Sequence, residues 1–86
     1  GITMRYLFMC RSLTYAQSAA RLLEKNAVSA AVRKAPAGLS AGGCSYSVSV
    51  SPRRASQAAA LLKGAGLLQG KVFLQRDDGS CSEVTL

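Results

Sequence analysis

The chain has 86 residues, 49% of them hydrophobic, and a formal charge of +7 from 11 Lys and Arg against 4 Asp and Glu. That length allows one small domain with a thin core, and no apolar run approaches the roughly 20 residues of a membrane span. The charge invites nucleic acid or an acidic partner, but the basic residues are scattered, which fits a solvated basic surface better.

Much of the apolar content is Ala and only 6% of the residues are aromatic. A core of that kind is shallow, which predicts a homo-oligomer. Three cysteines, at 10, 44 and 81, cannot all pair within one chain. No secretory signal opens the sequence, so a reduced, cytoplasmic setting is expected. Gly1 to Thr3 are read as preceding a natural start at Met4 and carry no structural weight.

Met4 to Cys10, MRYLFMC, is apolar on both alternating faces and predicts a central strand. Ser12 or Thr14 can cap the helix that follows, because a hydroxyl accepts from the first unbonded N–H groups. Ala16, Ala19, Ala20, Leu23 and Ala27 recur at helical spacing, with Arg21, Glu24 and Lys25 on the wet side. Asn26 is a helix-ending residue. Val28 to Arg33 reads as a second strand with Val28, Ala30 and Val32 on one face.

Pro36, Gly38, Gly42 and Gly43 then break the chain. Tyr46 to Val50, YSVSV, alternates, with Tyr46, Val48 and Val50 inward and Ser47 and Ser49 outward. Ser51-Pro52 opens a second helix as cap and first-turn proline. Its buried stripe is Ala55, Ala58, Ala59, Leu62 and Ala65, and Gly64 or Gly66 ends it. Lys71 to Gln75 is a fourth strand. Asp77-Asp78-Gly79 predicts a hairpin turn, since Asp-Gly tolerates positive φ. Residues 77–86 are then either a hairpin with a fifth, edge strand or a frayed tail.

The order βαββαβ is that of an α+β, ferredoxin-like plait over residues 4–76. Two helices cover one face of an antiparallel sheet in which the first strand lies between the third and the fourth. The other face is expected to be open to a partner copy. In this topology the first strand ends, and the third begins, at the same end of the sheet. Cys10 closes one and Cys44 precedes the other. The first helix also starts there.

The loop from Lys34 to Ser45, KAPAGLSAGGCS, therefore holds the candidate site. Cys44 follows two glycines that leave it sterically open, and Gly42 and Gly43 offer N–H groups for a small anion nest. A thiolate gains from cations and a helix N-terminus. The groups expected near it are Cys10, Arg11, Ser12, Arg33 and Lys34, with Lys71 at the same end. Arg53 and Arg54 belong at the opposite end. Against this stands the plain alternative that Gly-Gly-Cys is only a turn. Cys10 reads as a small core residue and Cys81 as incidental.

The sequence has no histidine, which removes Cys–His catalysis and His-based metal sites. It has no Cys-x-x-Cys, so a thioredoxin-like or metal-chaperone role is disfavoured. Glu24, Asp77, Asp78 and Glu83 are too dispersed for an acid–base pair. No enzyme activity, metal or cofactor is expected. Tyr6, Phe8, Tyr15, Tyr46 and Phe73 do not form the basic aromatic motif of RNA-binding plaits, which argues against nucleic acid.

The opening YLFMC with Ser12, the helix running through RLLEKNAV, the loop LSAGGCS and the closing AALLKGAGL resemble one small family. It is the putative selenium/sulfur carrier protein-like family, and the resemblance covers residues 4–76. Members carry Ser or Gly before the loop cysteine and often Gly after it; here Ser45 takes that place. The resemblance implies that Cys44 holds sulfur or selenium as a persulfide or selenopersulfide. Gly42, Gly43 and Ser45 would form the supporting loop. It also implies a cysteine desulfurase-like donor and an acceptor enzyme as partners. The competing reading is a non-catalytic regulatory or ligand-binding plait that works through its sheet face or dimer interface.

Overall fold

The apolar opening run forms strand β1, Arg5–Cys10, in a computed structural model that describes residues 4–36, 45–68 and 70–86. Helix α1, Leu13–Lys25, follows after a two-residue bend. Ser12 is its N-cap, and its hydroxyl accepts from the Tyr15 amide at 3.3 Å. Next come β2, Ala30–Lys34, and β3, Tyr46–Val50. A short 3₁₀ turn, Pro52–Arg54, leads into α2, Ala55–Gly64. Strands β4, Val72–Gln75, and β5, Cys81–Val84, complete the order.

The five strands form one antiparallel sheet in the order β2-β3-β1-β4-β5. With the two helices this is an α+β fold whose strand order is compatible with the ferredoxin-like plait. No helix among the described residues is long and apolar enough to cross a membrane.

The helices share one face. Tyr6, Phe8 and Cys10 point towards them from β1, and Val48 and Val50 from β3. Ala16, Ala19, Ala20 and Leu23 of α1 meet Ala55, Ala58, Ala59 and Leu62 of α2 over that floor. Alanine at these positions lets each helix sit close to the sheet. Phe8, Leu23 and Leu62 supply the bulk and are almost wholly buried. By area alone each contributes about 1.5–3 kcal/mol.

Both helices end in the same way. The Val28 amide donates to the Leu23 carbonyl at 2.9 Å and the Ala27 amide to Glu24 at 3.1 Å. After α2, Leu67 donates to Leu62 at 2.8 Å and Gly66 to Lys63 at 3.2 Å. This paired pattern is a Schellman motif, which needs one residue in the left-handed region. Gly66 takes it at φ 70°, and Ala27 takes it at φ 63°. Ala27 and Ala65 thus lie past their helices and are exposed, not part of the buried stripes. Periodicity places them on the stripe; the terminal hydrogen bonds turn the chain away first. Asn26 is the C-cap at φ −106°, and the left-handed residue is its successor.

Ser51 makes no side-chain cap bond, contrary to expectation. Its carbonyl instead accepts from the Arg54 amide at 3.1 Å, closing the 3₁₀ turn that Pro52 opens. The α-helix proper starts three residues later than Ser51-Pro52 suggests.

The second face also departs from expectation. Leu7 and Met9 point away from the helices, yet each is only 3% exposed, packed with Ala35 and Phe73. Ser47 and Ser49 share that face and are 1% and 3% exposed rather than facing water. They are short side chains beside the longer Leu7 and Met9 of β1, and Arg33 of β2 flanks Ser47. Over Ser49 lies Arg5, whose Nε donates to Ser49 Oγ at 2.7 Å and Nη2 to the Ser49 carbonyl at 3.0 Å. Leu7 and Met9 of β1 are therefore buried on this face rather than open to water.

The C-terminal residues do return as a strand. The Gly79 amide donates to the Arg76 carbonyl at 3.0 Å, and Arg76 N donates to Ser80 at 2.8 Å. Gly79 sits at φ 90° in this three-residue loop. Asp78 Oδ1 accepts from the Ser80 amide at 2.8 Å and from its hydroxyl at 2.6 Å. Those two bonds, hydroxyl first, with help from the Arg76 charge, hold the Asp78 carboxyl below its ordinary 3.8.

Two predictions follow from these turns. Ala27→Gly should raise stability in urea titration by up to about 1 kcal/mol, and Gly66→Ala should lower it by about 1 kcal/mol. No atom crowds position 66, so the second effect is purely backbone. A neutral or destabilising Ala27→Gly would mean residue 27 is not left-handed in solution. Asp78→Ala should speed amide exchange at Ser80 and along β5. Because folding lowers the Asp78 pKa, its contribution is present above the unfolded value and lost as pH falls through the folded one. In wild type the Ser80 amide shift should therefore move below pH 3.8; an unchanged shift there would contradict the turn geometry.

Candidate functional site

The register of the sheet fixes one of its ends. Cys10 pairs with Tyr46, and Tyr46 pairs with Lys34 on its other side. Three strands therefore align the last residue of β1, the first of β3 and the last of β2. Just beyond, the Ala35 amide donates to the Ser45 carbonyl at 2.9 Å. That bond ties Ser45 to the chain leaving β2. β4 begins at the same end, where the Met9 amide donates to the Lys71 carbonyl at 3.0 Å.

Helix α1 starts there too, with Ser12 as cap and no acidic residue in its first turn. The end of the sheet thus has the positive end of a helix dipole, with Arg11 and Lys34 exposed beside it. Lys71 is engaged outward, its Nζ 3.4 Å from Glu83 in a well-exposed pair. Such a pair adds little stability. Arg53 and Arg54 follow the far end of β3, as expected.

Gly42, Gly43 and Cys44 lie outside the described residues. Ser45 is described, and is exposed. Cys10 is 1% exposed, a member of the helix-side core, and its Sγ donates weakly to the Phe8 carbonyl at 3.7 Å. Arg33 differs from the rest of the expected set. Val32 packs against the helix-side core, so its neighbour Arg33 faces the opposite side of the sheet. There it lines a groove with Arg5, Leu7, Ser49 and Gln75. Arg33 and Cys10 are separated by the sheet itself.

Arg5 is the residue that sequence reasoning passed over. Its signal was present: it shares the period-two face of Leu7 and Met9, opposite the serines of YSVSV. Cys81 is also on that face, paired with Gln75, and is partly exposed. No group of three or more His, Cys, Asp or Glu that could hold a metal occurs among the described residues.

The two described thiols should differ sharply in labelling. Iodoacetamide should modify Cys81 in the native protein and reach Cys10 only after unfolding. Native labelling of Cys10 at the rate of Cys81 would show that this end of the sheet opens.

A family model described as putative Se/S carrier protein-like matches residues 5–73. The match runs from the start of β1 into β4, so it includes Cys10 and Cys44 and stops short of the hairpin and Cys81. No curated protein and no solved structure gave a match.

Proposed function

Since the chain belongs to the putative Se/S carrier protein-like family, we propose that it carries sulfur or selenium on Cys44 between a donor and an acceptor protein. The observation that carries this reading is the position of Cys44 within the matched residues, one peptide bond from Ser45. Ser45 is fixed by its bond from Ala35, at the end where α1 begins and where Arg11 and Lys34 are exposed.

The chemistry needs no cofactor. The Cys44 thiolate attacks the outer sulfur of a persulfide on a cysteine desulfurase-like donor. A new S–S bond forms at Cys44, the donor's S–S bond breaks, and its electron pair leaves on the donor thiolate. The acceptor repeats the attack on the outer sulfur and returns Cys44 to the thiolate. No net oxidation occurs, and selenium follows the same route. The chain has no histidine, and its four acids lie on α1, in the hairpin turn and on β5. Its part is then to present and stabilise a thiolate, with acid–base work left to its partners. Gly42 and Gly43, the two small residues before the thiol in sequence, would leave it accessible, while Ser12 and Arg11 mark the helix end and Lys34 adds charge.

The test is mass spectrometry after incubation with a cysteine desulfurase and cysteine. The expected product is an adduct of about 32 mass units, or the selenium equivalent from selenocysteine, lost in Cys44→Ser. Absence of the adduct in wild type, or its persistence in Cys44→Ser, would remove the reading. Cys81→Ser serves as the control and should load normally.

A further inference from the structure

We infer that Arg5 and Arg33 form an oxyanion-binding site on the helix-free face of the sheet, taking a carboxylate or phosphate group. The two arginines line one groove with Leu7, Ser49 and Gln75. Arg5 is held in place from below, with Nε on the Ser49 hydroxyl and Nη2 on the Ser49 carbonyl. Those bonds occupy one edge of the guanidinium. Its other edge, Nη1 with the second Nη2 hydrogen, makes no hydrogen bond among the described residues. Two parallel N–H donors on that edge match the spacing of a carboxylate or phosphate.

Arg33 stands close to this fork. Ala31 pairs with Ser49 and Arg33 with Ser47, so Arg33 and Ser49 are diagonal neighbours on one face. Diagonal neighbours lie roughly 7–8 Å apart, within reach of a long side chain. Arg33 is exposed and makes no hydrogen bond or ion pair among the described residues. Both arginines thus line one groove, and neither forms an ion pair among the described residues.

None of the chain's acids pairs with either arginine. Glu83 faces Lys71, Asp78 is bound into its turn by Ser80, and Glu24 lies on α1 beside a different groove. Asp77 shares a neighbouring groove with Arg5, Gln75 and Arg76, but forms no ion pair to Arg5. A bound oxyanion would relieve the repulsion and use donors already oriented by the sheet. Of the residues expected near Cys44, only Arg33 belongs to this site.

The Arg5 Nε–H, held on Ser49, gives a slowly exchanging NMR reporter. The protein should be titrated with inorganic phosphate and separately with acetate, at constant ionic strength set by chloride. Wild type should show a saturating shift at Arg5 and Arg33. Arg33→Gln, on an exposed side chain, should weaken it at least tenfold, while Arg53→Gln at the far end of the sheet should not change it. Saturation by phosphate alone assigns the site to phosphate groups; saturation by acetate extends it to acidic side chains of a partner. A shift that stays linear with both ions, or that is equal in Arg33→Gln and Arg53→Gln, would overturn the site and leave only general attraction to a basic surface.

Discussion

Residues 5–10 hydrogen-bond to two neighbours at once, with β3 on one side and β4 on the other, and both faces of this strand are covered. A strand that is apolar on both faces cannot set its own register, because a one-residue slip still buries apolar side chains. The partners set it. In β3 a slip would turn Ser47 and Ser49 under the helices and Val48 and Val50 away from them. A slip in β1 would pull Arg5 off Ser49 and aim a guanidinium at the helix-side core, where an unpaired charge is costly. Polar residues thus fix what the apolar strand leaves open. The alignment of Cys10, Tyr46 and Lys34, and so the end of the sheet where Ser45 is anchored, depends on that register.

The helices add bulk more than specificity. Their buried faces are mostly Ala, which loses no rotamer freedom but contributes little area each. The larger residues Leu23 and Leu62 sit where each helix ends and each receives the amide of a following apolar residue, buried Val28 or partly buried Leu67. Helix termination and core closure are therefore one event in each half of the chain. The same device in both halves aims β2 and β4 back along the sheet.

Much of this was legible in the sequence because period and turn chemistry carry it. YSVSV, the two alanine stripes and Asp78-Gly79 led to the strand, the helices and the hairpin, and the sheet order follows from known crossovers. What was not legible depends on competition between local choices. Ala27 and Ala65 fit a helical stripe, but capping bonds end each helix before them. Ser47 and Ser49 look solvated until Arg5 is seen lying across the same face. Arg33 and Lys34 are adjacent in sequence, so charge alone groups them; the pleat sends them to opposite faces. The loop glycines and Cys44 were singled out by composition and by family resemblance, which bear on chemistry and not on geometry.

The two candidate sites then make different demands on a partner. A carrier of the proposed kind must give its thiol to two proteins in turn, so that end of the sheet cannot be held in a tight, permanent contact. An excess charge of +7 instead favours fast, salt-sensitive encounters with acidic surfaces. The Arg5–Arg33 groove differs in kind, because a fork oriented by Ser49 selects geometry as well as sign. It lies across the sheet from Cys10, but Arg33 is the residue before Lys34 in β2. An anion held there would lower the positive potential on the neighbouring strand end.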